Sequence, residues 1–313
     1  VAREFVRIRG LDLEIRTVEG AIEADRDNVA IASSRARAGL ADELDVSRAQ
    51  RTLDRNLALL PELRGQRRNA EIRLAVLLGT TPGELSLSAG ALPRRDVIPA
   101  TGVPADLLLR RPDVRRAEQA LIASNARIGA REAEFFPRVS ISGTFAFEST
   151  DLGNLVDAGA FGFSLGPSVS FPIFNGGRIR AQVRVAESQQ RQAVLDLQLV
   201  LIDAIAEVES SLVLRHQAEE RAGKLNAAEQ SASDTESLAT ARFEAGVVDF
   251  LDVTEARTQL LEIRRDRAVA ETEALLRLID LYVALGGGWD FGVVYSAAGP
   301  TPSIDQLLAE SNE

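Results

Sequence analysis

The pattern of hydrophobic and polar positions divides the chain into two helical stretches that are separated by two short runs of strand character. Between 178 and 245 the sequence has no proline, and only Gly223 interrupts residues that favour helix. This pattern predicts one helix of about 68 residues, roughly 100 Å long at 1.5 Å per residue. Small or apolar residues recur along it with near-heptad spacing, at Ala186, Ala193, Leu197, Val200, Ala204, Val208 and Ser211. So long a helix needs neighbouring helices to be stable.

Within 137–171 the hydrophobic period changes to two. Apolar residues alternate with small polar ones in two runs of about 10 residues, joined by a polar loop over 148–160. The polar face is mostly Ser and Gly, and we expect no Lys or Arg along it. This length and alternation are typical of strands in a membrane β-barrel. The alternative is a soluble hairpin with one buried face, but a lone two-stranded hairpin is marginal in water.

An internal repeat relates the two helical stretches. Residues 1–79 match 208–286 at a constant offset of 207, without a gap. The segments 35–46 and 242–253 correspond most closely. Each predicts a helix, a tight turn around a glycine that takes a positive φ, and a second helix whose first turn carries aspartate.

Proline and glycine mark the ends of the predicted elements. Pro112 suits the first turn of a helix. Pro137 is expected to stop that helix, and Pro172 follows the second strand run. Gly176 and Gly177 then permit a sharp reversal into the long helix. Aromatic residues at both junctions suit a membrane interface.

Composition removes several classes of function. The chain has no cysteine, and His216 is its only histidine, so neither thiol chemistry nor a zinc site is expected. The net charge of −10 argues against nucleic acid as a partner, since a phosphate backbone requires a basic face. No phosphate-binding loop or metal-ligand spacing is present, so we predict no catalytic residues, no cofactor and no metal. Because the chain has no methionine, we expect it to be N-terminally truncated.

Several stretches together resemble the outer-membrane efflux factor family, the TolC/OprM-type ducts, and most closely its lipoprotein, NodT-like branch. The resemblance extends from Val1 to about Asp290. Its motifs are Leu107 to Arg115, Phe135-Phe136-Pro137, Phe171 to Arg178, Arg242 to Gly246, and Leu281 to Trp289. Each motif is weak alone, and the combination is specific.

The resemblance implies a mainly α-helical fold with a transmembrane β-hairpin. Long coiled-coil-like helices would form an α-barrel in the periplasm, and the strands would belong to a trimeric outer-membrane β-barrel. The implied partners are a homotrimer, a periplasmic adaptor (membrane fusion protein), an inner-membrane pump and outer-membrane lipid. The implied divisions are a first-repeat helical hairpin at 1–79, an equatorial linker at 80–106, a helix at 107–136, the transmembrane β-hairpin at 137–171, the second repeat at 178–286, and a C-terminal equatorial tail at 287–313.

The resemblance places the functional site at the two helical tips, near 35–46 and 242–253. It implies a periplasmic gate at Leu251, Asp252 and Glu255, where the two acids would form carboxylate rings in a trimer. The alternative role for these acids is to stabilise the dipole of the helix that they begin. An arginine that latches the mouth of some ducts is matched here by Val248, which argues against an ionic latch. The implied adaptor-contacting residues are Arg35, Gly39, Leu44, Asp45, Arg242, Phe243 and Gly246.

Three functional hypotheses follow. The first is an outer-membrane channel subunit of a tripartite efflux or secretion system, a passive duct gated at its periplasmic end. The second is a soluble coiled-coil scaffold or adaptor, which does not need the alternating pattern of 137–171. The third is an enzyme, for which the sequence offers no catalytic constellation.

Overall fold

In a computed structural model of the protein, residues 1–39, 42–93, 109–148 and 161–287 are described. This part of the chain is mostly helical, with one small antiparallel sheet, which confirms the predicted fold class. The elements in chain order are α1 (Ala2–Arg37), α2 (Glu43–Leu78), α3 (Pro112–Glu132), a 3-10 turn (Ala133–Phe135), β1 (Arg138–Phe147), β2 (Phe161–Ser170), α4 (Arg178–Glu244) and α5 (Phe250–Ala284).

The long helix is confirmed as α4, which runs for 67 residues without interruption. Ala186, Leu197, Ala204, Val208 and Ser211 of the predicted seam are buried, and the other two seam residues pack against a core as partly buried side chains. Two helices cover α4, one along each half. Its N-terminal half packs on α3 in one apolar cluster, and α5 covers it from about Val208 onward.

Arg111 joins the three helices at the point where α4 changes partners. Its guanidinium donates to the carbonyl of Ala284 at the end of α5 and to the carboxylate of Glu207 on α4, 2.6 Å away. It also donates to Asp113 in the first turn of α3, and that hydrogen bond lowers the pKa of the Asp113 carboxyl. Arg111 is buried, so these partners replace the water that its charge requires.

The helix boundaries reproduce the internal repeat. Helix α1 ends at Arg37 and α4 ends at Glu244, a difference of 244 − 37 = 207. Helix α2 begins at Glu43 and α5 begins at Phe250, again 250 − 43 = 207. The two repeats therefore form matching helical hairpins, α1–α2 and α4–α5. They pack together chiefly through α1 and α5, and Leu261 of α5 belongs to the main α1–α2 core.

Buried charges tie the segment after α2 to the first hairpin. The carboxylate of Asp12 is almost fully buried and accepts from Arg67 at 2.6 Å, from Arg9 at 3.0 Å and from the backbone of Gly90 at 3.0 Å. Arg67 also donates to Glu71 and to the carbonyl of Leu87. A buried carboxylate is tolerated because its lone pairs are satisfied in this way.

The two strands pair in antiparallel register along their full length. Phe145 lies opposite Phe163, and the aromatic rings of the apolar face stack at centroid distances near 6 Å. On the other face, the hydroxyls of Ser140 and Ser168 are 2.8 Å apart. Both faces are exposed, and Phe145 keeps 74% of its surface accessible. The expectation that the polar face lacks basic residues is wrong at one end, because β1 already begins at Arg138, on the same face as Ser140.

The structure also refines the predicted boundaries. Helix α3 begins at Pro112 and gives way to a 3-10 turn at Ala133, so it is shorter than the predicted span 107–136. The backbone turns extended at Phe136, before Pro137. Residues 94–106 of the predicted linker, 149–160 of the loop between the strands and 288–313 of the predicted tail lie outside the described residues. No helix in the described part of the chain combines the length and apolarity needed to cross a membrane.

Gly10 permits a close crossing of α1 and α5. A Cβ at Gly10 would lie 2.3 Å from Oγ1 and 2.9 Å from Cβ of Thr272, closer than such atoms approach in proteins. We expect Gly10→Ala to force the helices apart and to lower the free energy of unfolding by about 1–3 kcal/mol. Urea unfolding followed by the helical circular dichroism signal measures the change.

Gly65→Ala on α2 is the matched control, since a Cβ there meets nothing within 4 Å. It should raise the free energy of unfolding by about 0.5–1 kcal/mol because alanine favours the helix more than glycine. Equal unfolding curves for the two variants would contradict the close crossing of α1 and α5.

Candidate functional site at the helical tips

The first tip connects α1 to α2. Gly39 has a φ of 69° and its N–H donates to the carbonyl of Ala36 at 3.0 Å, which ends α1 in the predicted way. Asp42 caps α2, where its carboxylate accepts from the N–H of Leu44 at 3.4 Å. The side chain of Leu44 is exposed. Asp45 lies 3.6 Å from Arg48, so the acid of this tip has a basic partner on its own helix.

The second tip connects α4 to α5 with the same geometry. Gly246 has a φ of 71°, and its N–H donates to the carbonyl of Phe243 at 2.9 Å. The next N–H, of Val247, donates to the carbonyl of Arg242 at 2.9 Å. These two bonds form a Schellman motif, which stops the helix at a residue in the left-handed region. The Arg242 side chain is exposed and the Phe243 side chain is half-buried.

The three residues predicted for the gate lie together in the first turns of α5. Leu251 is 39% exposed, and Asp252 and Glu255 are both exposed on the surface that begins there. Among the described residues, neither acid has a basic group within ion-pair distance, whereas their counterparts Asp45 and Arg48 pair with each other. The second tip therefore presents two carboxylates to solvent, and the first presents a neutralised pair.

The two tips touch through an aromatic contact. The guanidinium of Arg35, on α1, lies 4.4 Å from the ring centroid of Phe243, on α4. The Phe243 ring in turn packs against Phe250 at 5.4 Å, and Phe250 is buried with Ala32 and Ala49 of the first hairpin. A cation above an aromatic face is attracted by the ring quadrupole. Val248 is half-buried and carries no charge.

The predicted junction residues lie at the opposite end of α4. Gly176 and Gly177 have φ values of 60° and 83°, and Gly177 is the residue from which α4 starts. Its N–H donates to the side chain of Asn175 at 3.1 Å, which closes the turn. Pro137 directly precedes β1, and Pro172 follows β2 after one intervening residue. At roughly 1.5 Å per residue, α4 separates these junctions from the tips by about 100 Å.

Neither tip has the donors of a metal site. Across the described ranges, no group of three or more His, Asp or Glu side chains could hold a metal ion. The lone histidine, His216, is exposed on α4. The chemistry that the tips offer is recognition and electrostatics: exposed carboxylates, an arginine stacked on an aromatic ring, and turns open to a partner helix.

Comparisons with known proteins agree with this architecture. The family model described as outer membrane efflux protein matches residues 1–80 and 103–287. The chain belongs to the outer membrane efflux protein family. The match includes both tips, the strands and the junctions.

Individual members of the efflux protein family are similar over most of this chain. The outer membrane protein OprJ of Pseudomonas aeruginosa is 34% identical over 267 residues, which are 84% of this chain and 55% of OprJ. The solvent efflux pump outer membrane protein SrpC of Pseudomonas putida is 34% identical over 285 residues, 88% of this chain and 59% of SrpC. The cation efflux system protein CusC of Escherichia coli K12 is 28% identical over 291 residues, 92% of this chain and 63% of CusC. The chain thus spans less than two thirds of the length of these relatives.

Solved structures of efflux channels share the fold. The outer-membrane channel OprN superposes with a TM-score of 0.78 at 31% identity, covering 92% of this chain and 65% of OprN. The outer membrane protein VceC of Vibrio cholerae superposes with a TM-score of 0.76 at 26% identity, covering 92% of this chain and 69% of VceC. The suspected family resemblance is therefore confirmed, and it favours a channel over a soluble scaffold.

The sequence does not indicate which residues of the two tips are in contact. The family resemblance places Arg35 and Phe243 in the two tips, but their contact joins positions 208 residues apart and leaves no local pattern in the sequence. Arg111 precedes the predicted helix start at Pro112, and its links to α4 and α5 have no counterpart in the sequence pattern. The sequence shows an arginine directly before a proline-marked helix start, but nothing in it indicates that this arginine is buried.

The contact between Arg35 and Phe243 yields a prediction about the tips. Phe243→Leu keeps an apolar side chain but removes the ring, so the packing of tip on tip should weaken by about 1–2 kcal/mol. Backbone amides near both tips should then exchange with deuterium several-fold to about 30-fold faster. Phe243→Tyr retains the ring and should exchange like the wild-type protein. Identical exchange in the Leu and Tyr variants would show that the ring does not hold the tips.

Proposed function

We propose that this chain is part of a subunit of an outer-membrane exit duct, a passive channel of a tripartite efflux or secretion system. Three subunits would close both the strands and the long helices into tubes, in the outer membrane and the periplasm respectively. An inner-membrane pump would supply the energy and a periplasmic adaptor would connect the two. Family membership supports the channel, and the exposed surfaces of the chain support its assembly.

The observation that carries this proposal is a β-hairpin with no buried face. Its apolar side is fully exposed, and its other side carries small hydroxyl and glycine residues. The junctions add exposed apolar groups, with 92% of Phe174 accessible. Exposing this apolar surface to water is unfavourable, and so is exposing the unpaired strand edges to a bilayer. A closed barrel with lipid outside and a narrow lumen inside avoids both of these costs.

The helices supply the periplasmic part of the duct. Helix α4 carries apolar side chains that no described element of the chain covers, including Leu195, Leu199 and Ile202. Neighbouring subunits would bury these positions in a helical barrel. In this arrangement, residues 1–79 and 178–286 form the tube with its two tips, and 137–171 forms the transmembrane hairpin. The parts assigned to 80–106 and 287–313 would surround the tube at its middle.

The tips would form the mouth, where the adaptor docks and the gate lies. Arg35, Gly39, Leu44 and Asp45 of the first tip, with Arg242, Phe243 and Gly246 of the second, offer turns beside which partner helices can lie. Leu251 would narrow the opening. Asp252 and Glu255, which are exposed and unpaired among the described residues, would form acidic rings that favour cations and repel one another.

The orientation of the hairpin is testable with one arginine on each face. Ile141→Arg, on the apolar face, would place a charge in lipid at a cost of about 2–4 kcal/mol and should reduce the amount of trimer in the outer membrane. Ser142→Arg, on the adjacent residue and opposite face, should assemble normally and alter conductance instead. Fractionation of membranes from cells that produce the full-length protein measures the amount of trimer in the outer membrane.

Equal assembly of the two arginine variants would exclude a lipid-facing apolar side. Release of the full-length wild-type protein as a monomer without detergent would favour the soluble scaffold.

The gate is testable by the conductance of the full-length protein in planar bilayers. The double variant Asp252→Asn with Glu255→Gln removes the exposed charges with little change in shape. It should lose most of the preference for cations because the carboxylates that attract them are gone, and it should open less readily because the repulsion that drives the acids apart is gone.

The matched control is Glu209→Gln, an exposed carboxylate on α4 far from the tips. It should leave ion preference near the wild-type value. If the double variant behaves like this control, the gate lies elsewhere, even if the protein remains a channel.

A further inference from the structure

A cavity of about 150 Å³ lies where the two hairpins meet, at a distance from the tips of about one third of the length of α1. All four helices of the hairpins contribute to its wall. Gly20, Ala21 and Ala24 of α1 leave the space because their side chains are small. Packed helices rarely leave voids of this size, so the two hairpins are loosely joined at this point.

Asp25 brings a carboxylate into this cavity. Only 5% of the residue is exposed, and its Oδ2 accepts from Nδ2 of Asn56, on α2, at 2.7 Å. Within the described ranges no basic group lies within ion-pair distance of Asp25. This distinguishes it from Asp12, the other buried aspartate of α1, which two arginines hold.

The charged groups around Asp25 are already engaged with one another. Helix α5 contributes Arg257 and Arg264 to the cavity, and α4 contributes Glu236. Arg257 donates to Glu236 at 2.7 Å, and Arg264 donates to Glu229 at 3.0 Å. From α2 come only neutral groups, among them the amide of Asn56.

Burial dominates the titration of Asp25. Loss of water raises the pKa of its carboxyl above the ordinary value, and the hydrogen bond from Asn56 and the charge of Arg257 lower it by less. Keeping the Asp25 carboxylate charged therefore costs free energy as long as the hairpins are packed. Separation of the hairpins would admit water to the carboxylate and relieve that cost.

We propose that Asp25 is a proton-binding site that makes the joint between the two hairpins sensitive to pH, with protonation favouring the packed, closed arrangement. The direction follows from linkage. A carboxyl that binds its proton more tightly when packed stabilises the packed state as pH falls, and this contribution is lost as pH rises through the raised pKa. The joint itself rests on the fold alone, and its effect on conductance rests on the proposed channel function.

The absence of cysteine makes the joint measurable by spin labels. Cysteines introduced at the exposed positions Ala38 and Ala245 place one label on each tip. Pulsed electron paramagnetic resonance on the full-length assembled protein, with labelled subunits diluted by unlabelled ones, then gives the distance between the tips. In the wild-type background, the ratio of short to long distances should rise as pH falls, by up to about tenfold for each pH unit in the titrating range.

Asp25→Asn removes the charge while keeping the shape and the bond from Asn56. It should show the short distance already at neutral pH and should lose the pH response. Asp27→Asn, an exposed carboxylate two residues away on the same helix, should respond like the wild-type background. A pH response that survives Asp25→Asn, one that Asp27→Asn also abolishes, or no response in the wild-type background would overturn the proposal.

Conductance separates this proposal from the channel function. If the tip distances respond as expected and Asp25→Asn also lowers the open probability at neutral pH, both proposals are supported. If the distances respond but the full-length protein conducts no ions, the joint stands and the channel function fails.

Discussion

The length of α4 is the constraint on which the rest of the structure depends. A 67-residue helix needs packing against other elements to be stable in water, and no other helix within the described ranges is long enough to cover it. Its seam is therefore buried in two halves, first by α3 and then by α5. The change of partner exposes helix ends in the middle of the molecule, and Arg111 satisfies the end of α5 while it holds Glu207 of α4. Without such a group the changeover would leave carbonyls unpaired.

The repeat then provides a second hairpin of the same length beside the first. Helix boundaries recur at an offset of 207, and one surface ion pair even joins equivalent positions, Arg55 and Glu262. The two hairpins have equivalent backbones, but the charges at their tips differ. Asp45 and Arg48 neutralise each other, whereas the matching residues Asp252 and Glu255 are both acidic. The two hairpins thus share one scaffold and differ at the end where a partner or a passing ion would meet them.

Much of this fold is predictable from the sequence because its signals are local. The seam of α4, the alternation in β1 and β2, and the positive φ of Gly39 and Gly246 each follow from residues close together in the chain. Contacts between elements carry no such signal. The periodicity of α1 indicates a buried face but not that Gly10 meets Thr272. The family resemblance and the repeat locate the candidate gate, whereas the contact between Arg35 and Phe243 is visible only in the packed structure.

The structures at the two ends of α4 impose different requirements on this helix. The hairpin must be held by its neighbours, since neither face is buried within the chain. The tips must be able to move if the mouth is to open. Because α4 continues from one end to the other without a break, movement at the tips cannot arise from a hinge within it. The compliance would then lie between the hairpins, where the cavity and the buried carboxylate of Asp25, bonded only to Asn56 among the described residues, lie about 20 Å from the tips at 1.5 Å per residue.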